Sequence, residues 1–195
     1  MILSCGDLPH HYLDYAASTL DVPLYYVHGN HDSRVRNAMV GNQITSFGGV
    51  NIHRKIVFDR GLLIGGVEGS LRYNFGSYQY TQAQMWVHIF SLIPGLIKNR
   101  LIFGRYLDIF ISHAPPWGIH DQPDPAHRGI KAFTWLLRTF KPKYHFHGHV
   151  HVFRPDTVTA SEYYKTRVIN AYRFAEAKID PLPSRNALLS FLRRS

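Results

Sequence analysis

Four short motifs of this chain consist of residue types that bind metal ions or transfer protons. In chain order they are CGD at Cys5–Asp7, GNHD at Gly29–Asp32, SHAPP at Ser112–Pro116 and GHVH at Gly148–His151. A carboxylate can bridge two divalent cations, an asparagine offers a neutral carbonyl oxygen, and imidazole nitrogens suit zinc, iron, manganese or nickel. This mixture of oxygen and nitrogen ligands indicates a catalytic metal centre, because structural zinc sites are usually rich in cysteine.

The signal comes from the combination of the motifs. An aspartate after a glycine is usually a turn or helix-cap residue, and a lone His–Xaa–His is more often not a metal site. GNHD is stronger, since it places an amide, an imidazole and a carboxylate in consecutive residues. His149 and His151 are two residues apart, and in an extended segment this spacing places both side chains on one face.

Each motif directly follows an apolar run that predicts a β-strand. These strands are expected at Ile2–Cys5, Leu24–His28, Leu107–Ser112 and Tyr144–His147. Strand ends that meet at one edge of a sheet are where α/β proteins build active sites. Motifs scattered over most of the chain are therefore expected to form one cluster of aspartate, asparagine and histidine.

The rest of the pattern predicts an α/β protein with a partly parallel sheet. We expect helices within residues 7–20, 85–101 and 130–140, two strands at 55–58 and 62–67 joined by a turn, and strand-like segments at 152–159 and 166–172. No repeat or linker is visible, and 195 residues fit one domain, so a single domain over residues 1–195 is predicted.

The charge balance favours an anionic partner. The chain has 22 Lys and Arg against 13 Asp and Glu, a formal charge of +9. A phosphate ester, a nucleic acid and an anionic lipid all fit this excess, which does not choose among them.

The sequence predicts a cytoplasmic protein without a membrane span. Cys5 is the single cysteine, which excludes an internal disulfide and suits a reducing compartment. The first residues, MILSCGDLP, lack the features of a signal peptide. The most apolar stretch, Met85–Gly104, is interrupted by Pro94, Lys98 and Arg100 and falls short of the roughly 20 apolar residues of a spanning helix.

The four motifs, in this order, resemble those of the calcineurin-like metallophosphoesterases, and the resemblance covers nearly the whole chain. It implies a two-sheet sandwich flanked by helices, in four αββα layers. It also implies hydrolysis of phosphate mono- or diesters by a hydroxide that bridges two divalent metal ions, drawn from Mn, Fe, Zn and Ni. The implied partner is a phosphate-ester substrate.

The resemblance also implies a set of metal ligands. Asp7 resembles the aspartate that bridges both metals. Asn30, His113 and His149 resemble ligands of the second metal, and His151 resembles a ligand of the first.

Further residues are implied to act on the substrate. His31 matches the histidine that contacts the phosphate and assists the leaving group, with Asp32 as its carboxylate partner. His127 and Arg128 lie in a proline-bounded loop after SHAPP that borders the substrate cleft in related enzymes, so we expect them to contact a phosphate oxygen. The tyrosine-rich stretch Tyr73–Tyr80 is interpreted as packing.

The chain departs from the family pattern at its N-terminus. The family usually begins with an Asp–Xaa–His motif some tens of residues before the GD motif, whereas Asp7 is here preceded by six residues. Only Asp7 and His151 then remain for the first metal, and His11 stands at the fifth position of the family's GD-xx-D. We expect an N-terminally incomplete domain that lacks its first strand, either as a truncated or mis-started sequence or as a natural variant.

Two alternatives to the enzyme remain open. A non-catalytic scaffold on the same fold is favoured by the absent Asp–Xaa–His motif and opposed by the intact GNHD. A nuclease is suggested by the charge of +9, but no recognition helix or RNA-binding signature is evident, so nucleic acid is not the favoured partner. The sequence does not indicate an oligomeric state.

Overall fold

The computed structural model describes residues 1–32 and 48–180. The chain first builds a small parallel sheet, in which β1 (Ile2–Ser4), β2 (Leu24–Tyr26) and β3 (Val50–Asn51) lie side by side in that order. Helix α1 (His10–Leu20) connects β1 to its parallel neighbour β2. The CGD and GNHD motifs therefore follow adjacent parallel strands.

A larger sheet of six strands carries the other two motifs. Its order is β10-β11-β9-β8-β5-β4, where the strands are β4 (Lys55–Asp59), β5 (Leu62–Val67), β8 (Ile109–Ser112), β9 (Tyr144–His147), β10 (Ala160–Tyr163) and β11 (Thr166–Asn170). The central pairs β5–β8, β8–β9 and β9–β11 are parallel, and the outer pairs are antiparallel. SHAPP and GHVH thus also follow adjacent parallel strands.

A two-stranded ribbon and a pair of helices complete the fold. A short parallel ribbon consists of β6 (Ser70–Leu71) and β7 (Gln79–Tyr80). Two helices, α2 (Gln82–Phe103) and α3 (Lys131–Phe140), pack against each other and against the six-stranded sheet. No helix among residues 1–32 and 48–180 is long and apolar enough to cross a membrane.

The six-stranded sheet is covered on both faces. On β8, Phe110 packs with the residues of α2 and α3, whereas its neighbours Ile109 and Ile111 pack with Val27 and Ile52 beside the small sheet. This division follows from the period of two in a strand, which sends successive side chains to opposite faces. Because both faces are covered, β5 and β8 are buried along their whole length. The predicted α/β class, with two packed sheets flanked by helices, is confirmed.

Local signals explain where several elements begin and end. The turn between β4 and β5 consists of Arg60 and Gly61 with φ of 48° and 82°, as a two-residue hairpin loop requires. Helix α2 begins earlier than predicted, because Thr81 and Gln84 form a capping box. It ends at Gly104, which has a left-handed conformation with φ of 76°.

One predicted strand is wrong. Residues 152–159 form no strand, and the strand that pairs with β11 is β10, further along the chain. Arg154 and Asp156 form an ion pair of 2.8 Å around a turn at Pro155, which interrupts any extended run. The apolar side chains of Phe153 and Val158, which suggested a strand, are exposed.

Candidate metal centre

The four motifs meet at one edge, where the two sheets adjoin. The Gly148 N–H donates to the carbonyl of His113 at 3.0 Å, which ties GHVH to SHAPP. His113 Nδ1 in turn lies 2.7 Å from the carbonyl of Cys5, which ties SHAPP to CGD across 108 positions of sequence. Residues from distant parts of the chain are thereby held in contact.

CGD and GNHD are joined by a backbone contact that only glycine permits. A β-carbon on Gly6 would overlap the backbone nitrogen of Gly29, and one on Gly29 would overlap the Asp7 carboxylate. Gly6 also has a φ of 90°, which L side chains rarely adopt. This close approach lets Asp7 Oδ1 accept a hydrogen bond of 2.9 Å from the backbone N–H of His31.

Four of the five predicted metal ligands lie together. Ligand atoms of Asp7, His113 and His149 lie within 4.8 Å of one another, the only such group of three among the described residues. His113 Nε2 is 3.0 Å from His149 Nδ1 and 3.4 Å from Asp7 Oδ2. Asn30 Oδ1 lies 2.8 Å from the same His113 nitrogen.

Backbone carbonyls fix the tautomers of the two histidines. His113 Nδ1 faces the carbonyl of Cys5, and His149 Nε2 faces that of Ala126, each at 2.7 Å. A carbonyl only accepts, so both of these ring nitrogens carry the proton. The two nitrogens that face each other, His113 Nε2 and His149 Nδ1, therefore both present lone pairs, and no proton lies between them in the neutral rings.

The charge states of the cluster suit a cation. Burial lowers the pKa of His113 and that of His149 to about 4, so both rings are neutral near pH 7. Burial also raises the pKa of Asp7, an effect that the hydrogen bond from the His31 amide partly offsets. Two imidazole lone pairs, an amide oxygen and a carboxylate oxygen converge, and this donor set fits a divalent transition metal ion.

His151 is not part of this group. His149 has a left-handed conformation with φ of 67°, so the segment is not extended and the reason for expecting a shared face does not apply. The His151 side chain is exposed, and its ring lies 4.9 Å from that of Tyr172. Its assignment as a ligand of the first metal stays a prediction.

His31 and Asp32 border an open cavity beside Asp7. The cavity has a volume of about 360 Å³ and is lined by Asp7, Leu8, Pro9, His10, His11, His31 and Asp32. Asp32 Oδ2 accepts a hydrogen bond of 2.8 Å from Gly29 N–H and lies 3.5 Å from His28 Nδ1. Burial raises the pKa of Asp32, but these two partners outweigh it and hold the pKa below its usual value. The predicted partnership of Asp32 with His31 stays a prediction.

The predicted substrate contacts lie in the loop that holds His149. The ring of His127 is 5.2 Å from that of His149, and its Nδ1 lies 3.0 Å from Asp124 Oδ1. Arg128 is exposed and donates to the carbonyl of Pro123 at 3.2 Å. Neither residue lines the cavity beside Asp7, and both roles stay predictions.

Sequence reasoning missed several groups at this centre. The carbonyls of Cys5 and Ala126 carry no sequence signal, because every residue has a carbonyl. The Tyr73 hydroxyl accepts a hydrogen bond of 2.9 Å from Asn30 Nδ2, although the sequence indicates only packing for its loop. His11 is visible in the sequence as a departure from GD-xx-D, but nothing in that departure places it in the cavity lining.

Comparison with known proteins identifies the family. The chain belongs to the calcineurin-like phosphoesterases, whose sequence profile matches residues 1–153. None of the curated proteins compared with the chain matches it.

Solved structures share the fold. The crystal structure of TT1561 of Thermus thermophilus is similar with a TM-score of 0.54 at 19% identity, over 84% of this chain and 68% of that one. A second crystal structure is similar with a TM-score of 0.52 at 18% identity, over 84% of this chain and 65% of that one. The chain thus spans about two thirds of the length of either neighbour.

Proposed function

We propose that this protein is a metal-dependent phosphoesterase that hydrolyses phosphate mono- or diesters with two divalent cations. The observation that supports it most is the pair of facing lone pairs on His113 and His149, set by backbone carbonyls and flanked by two oxygen ligands. Bringing these atoms together without a proton between them is unfavourable unless a cation shares them.

The ligands divide into two proposed sets. Asp7, Asn30, His113 and His149 would hold one cation, and Asp7 and His151 would contribute to the other. When bound, such cations polarise the phosphoryl group and lower the pKa of a bound water toward neutrality. Asp7 belongs to both sets, and its backbone is held in a left-handed conformation with φ of 59°.

His31 is proposed to protonate the departing alkoxide. Its side chain is exposed and lines the cavity beside Asp7, so an ester bound against the metal ligands would lie next to it. The backbone of His31 is anchored to Asp7 through the 2.9 Å hydrogen bond. We further propose that His127 and Arg128 contact phosphate oxygens from the loop after SHAPP, and that the enzyme works in the cytoplasm.

Turnover of para-nitrophenyl phosphate and of its bis ester, measured with added Mn²⁺, tests this proposal. We expect metal-dependent turnover that is lost in Asp7→Asn, because the amide removes the charge shared by both ligand sets. Asp156→Asn is the matched control, since that carboxylate is exposed and pairs with Arg154. Equal rates for wild type and Asp7→Asn would overturn the proposal, and metal binding without turnover would instead support the non-catalytic scaffold.

A further inference from the structure

The Asn30 amide is held from the side opposite the histidines. Its Oδ1 points to His113 Nε2 at 2.8 Å, and its Nδ2 donates to the Tyr73 hydroxyl oxygen at 2.9 Å. Asn30 is buried, with 5% of its surface exposed. The Tyr73 hydroxyl therefore accepts from an amide nitrogen that has little access to water.

The loop that carries Tyr73 is fixed by one buried side chain. Gln79, which is 6% exposed, accepts hydrogen bonds from the backbone N–H groups of Tyr73 at 3.2 Å and Asn74 at 3.1 Å. Its Nε2 donates to Asn74 Oδ1, which also accepts from Gly76 N–H. These bonds fix the backbone from which Tyr73 reaches Asn30.

We propose that Tyr73 is a positioning residue of the metal centre: its hydroxyl holds the Asn30 amide with Oδ1 toward the cation, and Gln79 keeps Tyr73 in place. This inference rests on the proposed metal-binding function and adds to it a residue outside the four motifs. Tyr73 acts through Asn30 and needs no contact with the cation.

The hydroxyl matters more to the metal-bound protein than to the metal-free one. With a cation bound, Asn30 Oδ1 is a ligand, and Nδ2 needs an acceptor on its other side, which Tyr73 supplies. Without a cation, a flipped amide can instead donate from Nδ2 to the lone pair of His113 Nε2 and accept at Oδ1 from the Tyr73 hydroxyl, since a hydroxyl donates as well as accepts. With a cation bound this second orientation is closed, so removal of the hydroxyl leaves a buried N–H donor unpaired, whereas in the metal-free protein it leaves only the amide oxygen unpaired. A buried unpaired N–H is the less tolerated of the two, so the removal lowers metal affinity.

The test is the affinity of Tyr73→Phe for Co²⁺ and Mn²⁺, measured by calorimetry together with the absorption spectrum of the Co²⁺ complex. We expect the dissociation constant to rise about 10- to 100-fold, as for other residues that orient metal ligands, with an altered Co²⁺ spectrum. The urea midpoint of the metal-free protein should fall slightly, because the Asn30 amide loses one buried hydrogen bond there as well. Gln79→Leu should weaken binding in the same direction, because it releases the loop.

Phe75→Ala is the matched control, since Phe75 lies in the same loop and is fully exposed. It should bind metal as the wild type does. Wild-type affinity and spectrum in Tyr73→Phe would overturn the inference while leaving the proposed function intact. Failure of the wild-type protein to bind either metal would overturn the proposed function itself.

Discussion

Two pairs of neighbouring histidines in this protein have the same separation between their facing nitrogens. They differ in whether a proton lies between those nitrogens. In the metal-centre pair, His113 Nε2 lies 3.0 Å from His149 Nδ1. In a second pair, which we call the relay pair, His120 Nδ1 lies 3.0 Å from His147 Nε2. Distance alone does not separate a ligand pair from a hydrogen-bonded pair.

The two pairs differ in the partners of their outer nitrogens, which are the ring nitrogens that face away from the other ring of the pair. In the relay pair, His147 Nδ1 donates to the carbonyl of Gly148 at 3.0 Å, so its Nε2 accepts from His120 Nδ1–H. His120 Nε2 can then accept from the Ser161 hydroxyl at 2.9 Å, because a hydroxyl donates as well as accepts. Every contact of the relay pair contains a proton.

In the metal-centre pair, neither ring can donate to the other. Both outer nitrogens face carbonyls, which have no proton to give. Protonation of one ring would supply it, but burial holds the pKa of both rings near 4. With a carbonyl in place of a hydroxyl at the outer nitrogen, no proton lies between the two rings, and the facing lone pairs are the arrangement that the proposed cation would share.

The largest expected effect is a loss of metal affinity that occurs when the metal-centre pair is changed and not when the relay pair is changed. His149→Ala should reduce metal affinity by more than the roughly 10- to 100-fold typical of residues outside the ligand set, because one of two nitrogen ligands is gone. His120→Ala, the matched change in the relay pair, should keep the metal stoichiometry of the wild type. Calorimetric titration with Mn²⁺ or Zn²⁺ checks both, and equal losses in the two variants would invalidate the distinction.

A change next to the metal-centre pair should affect chemistry without affecting the metal. His31→Asn should lower turnover by about 10² to 10⁴-fold, the usual contribution of a general acid, with metal binding retained. Turnover with para-nitrophenyl phosphate and metal content by mass spectrometry give the two readouts. An unchanged rate would exclude the role of His31 in leaving-group departure.

Acid should destabilise the metal-free protein through both pairs alike. Burial lowers the pKa of His147 to about 3, that of His113 to about 4 and that of His149 to about 4, all below the value of about 6.5 in an unfolded chain. At a pH between the folded and the unfolded pKa values, the unfolded state binds more protons than the folded state. The free energy of unfolding therefore rises with pH up to about 6.5 and then levels off.

Each such histidine contributes a slope of about 1.4 kcal/mol per pH unit within its window. Urea unfolding in the presence of a chelator, between pH 4.5 and 7.5, measures the sum. A flat profile below pH 6.5 would show that these rings are not buried in their neutral form.

The smallest expected effect concerns the end of the relay pair. Ser161→Ala removes the hydroxyl that can donate to His120 and should lower the free energy of unfolding by about 1 kcal/mol, with no change in metal affinity. Glu162→Gln, at the exposed neighbouring position of β10, is the control and should be close to neutral. A loss of metal affinity in Ser161→Ala would mean that the two pairs are coupled.

The sequence predicted those strands and helices whose residues follow a periodic or local pattern. The four strands before the motifs were predicted because their short runs are rich in the apolar and aromatic residues that favour strands. The strands β3, β6 and β7 have two residues each, too few for a pattern. The strand expected at 152–159 failed because Phe153 and Val158 are apolar yet exposed.

The candidate site was predictable in residue type and not in geometry. The motifs pointed to Asp7, Asn30, His113 and His149, which lie together. The left-handed backbone of His149 and the carbonyls that set the tautomers are tertiary features without a side-chain signature. The bond between Tyr73 and Asn30 spans 43 positions, and no local rule connects them.

The contact between Gly6 and Gly29 bears on which ions the centre selects. Two of its oxygen donors, on Asp7 and Asn30, follow backbones that touch directly, so they cannot separate without breaking that contact. Ca²⁺ needs oxygen donors at about 2.3–2.6 Å and tolerates flexible sites, whereas smaller ions take donors at about 2.0–2.2 Å. Because neither Gly6 nor Gly29 has a β-carbon, the two backbones can stay in contact and keep these oxygen donors close together. We expect this closeness to disfavour the binding of large ions.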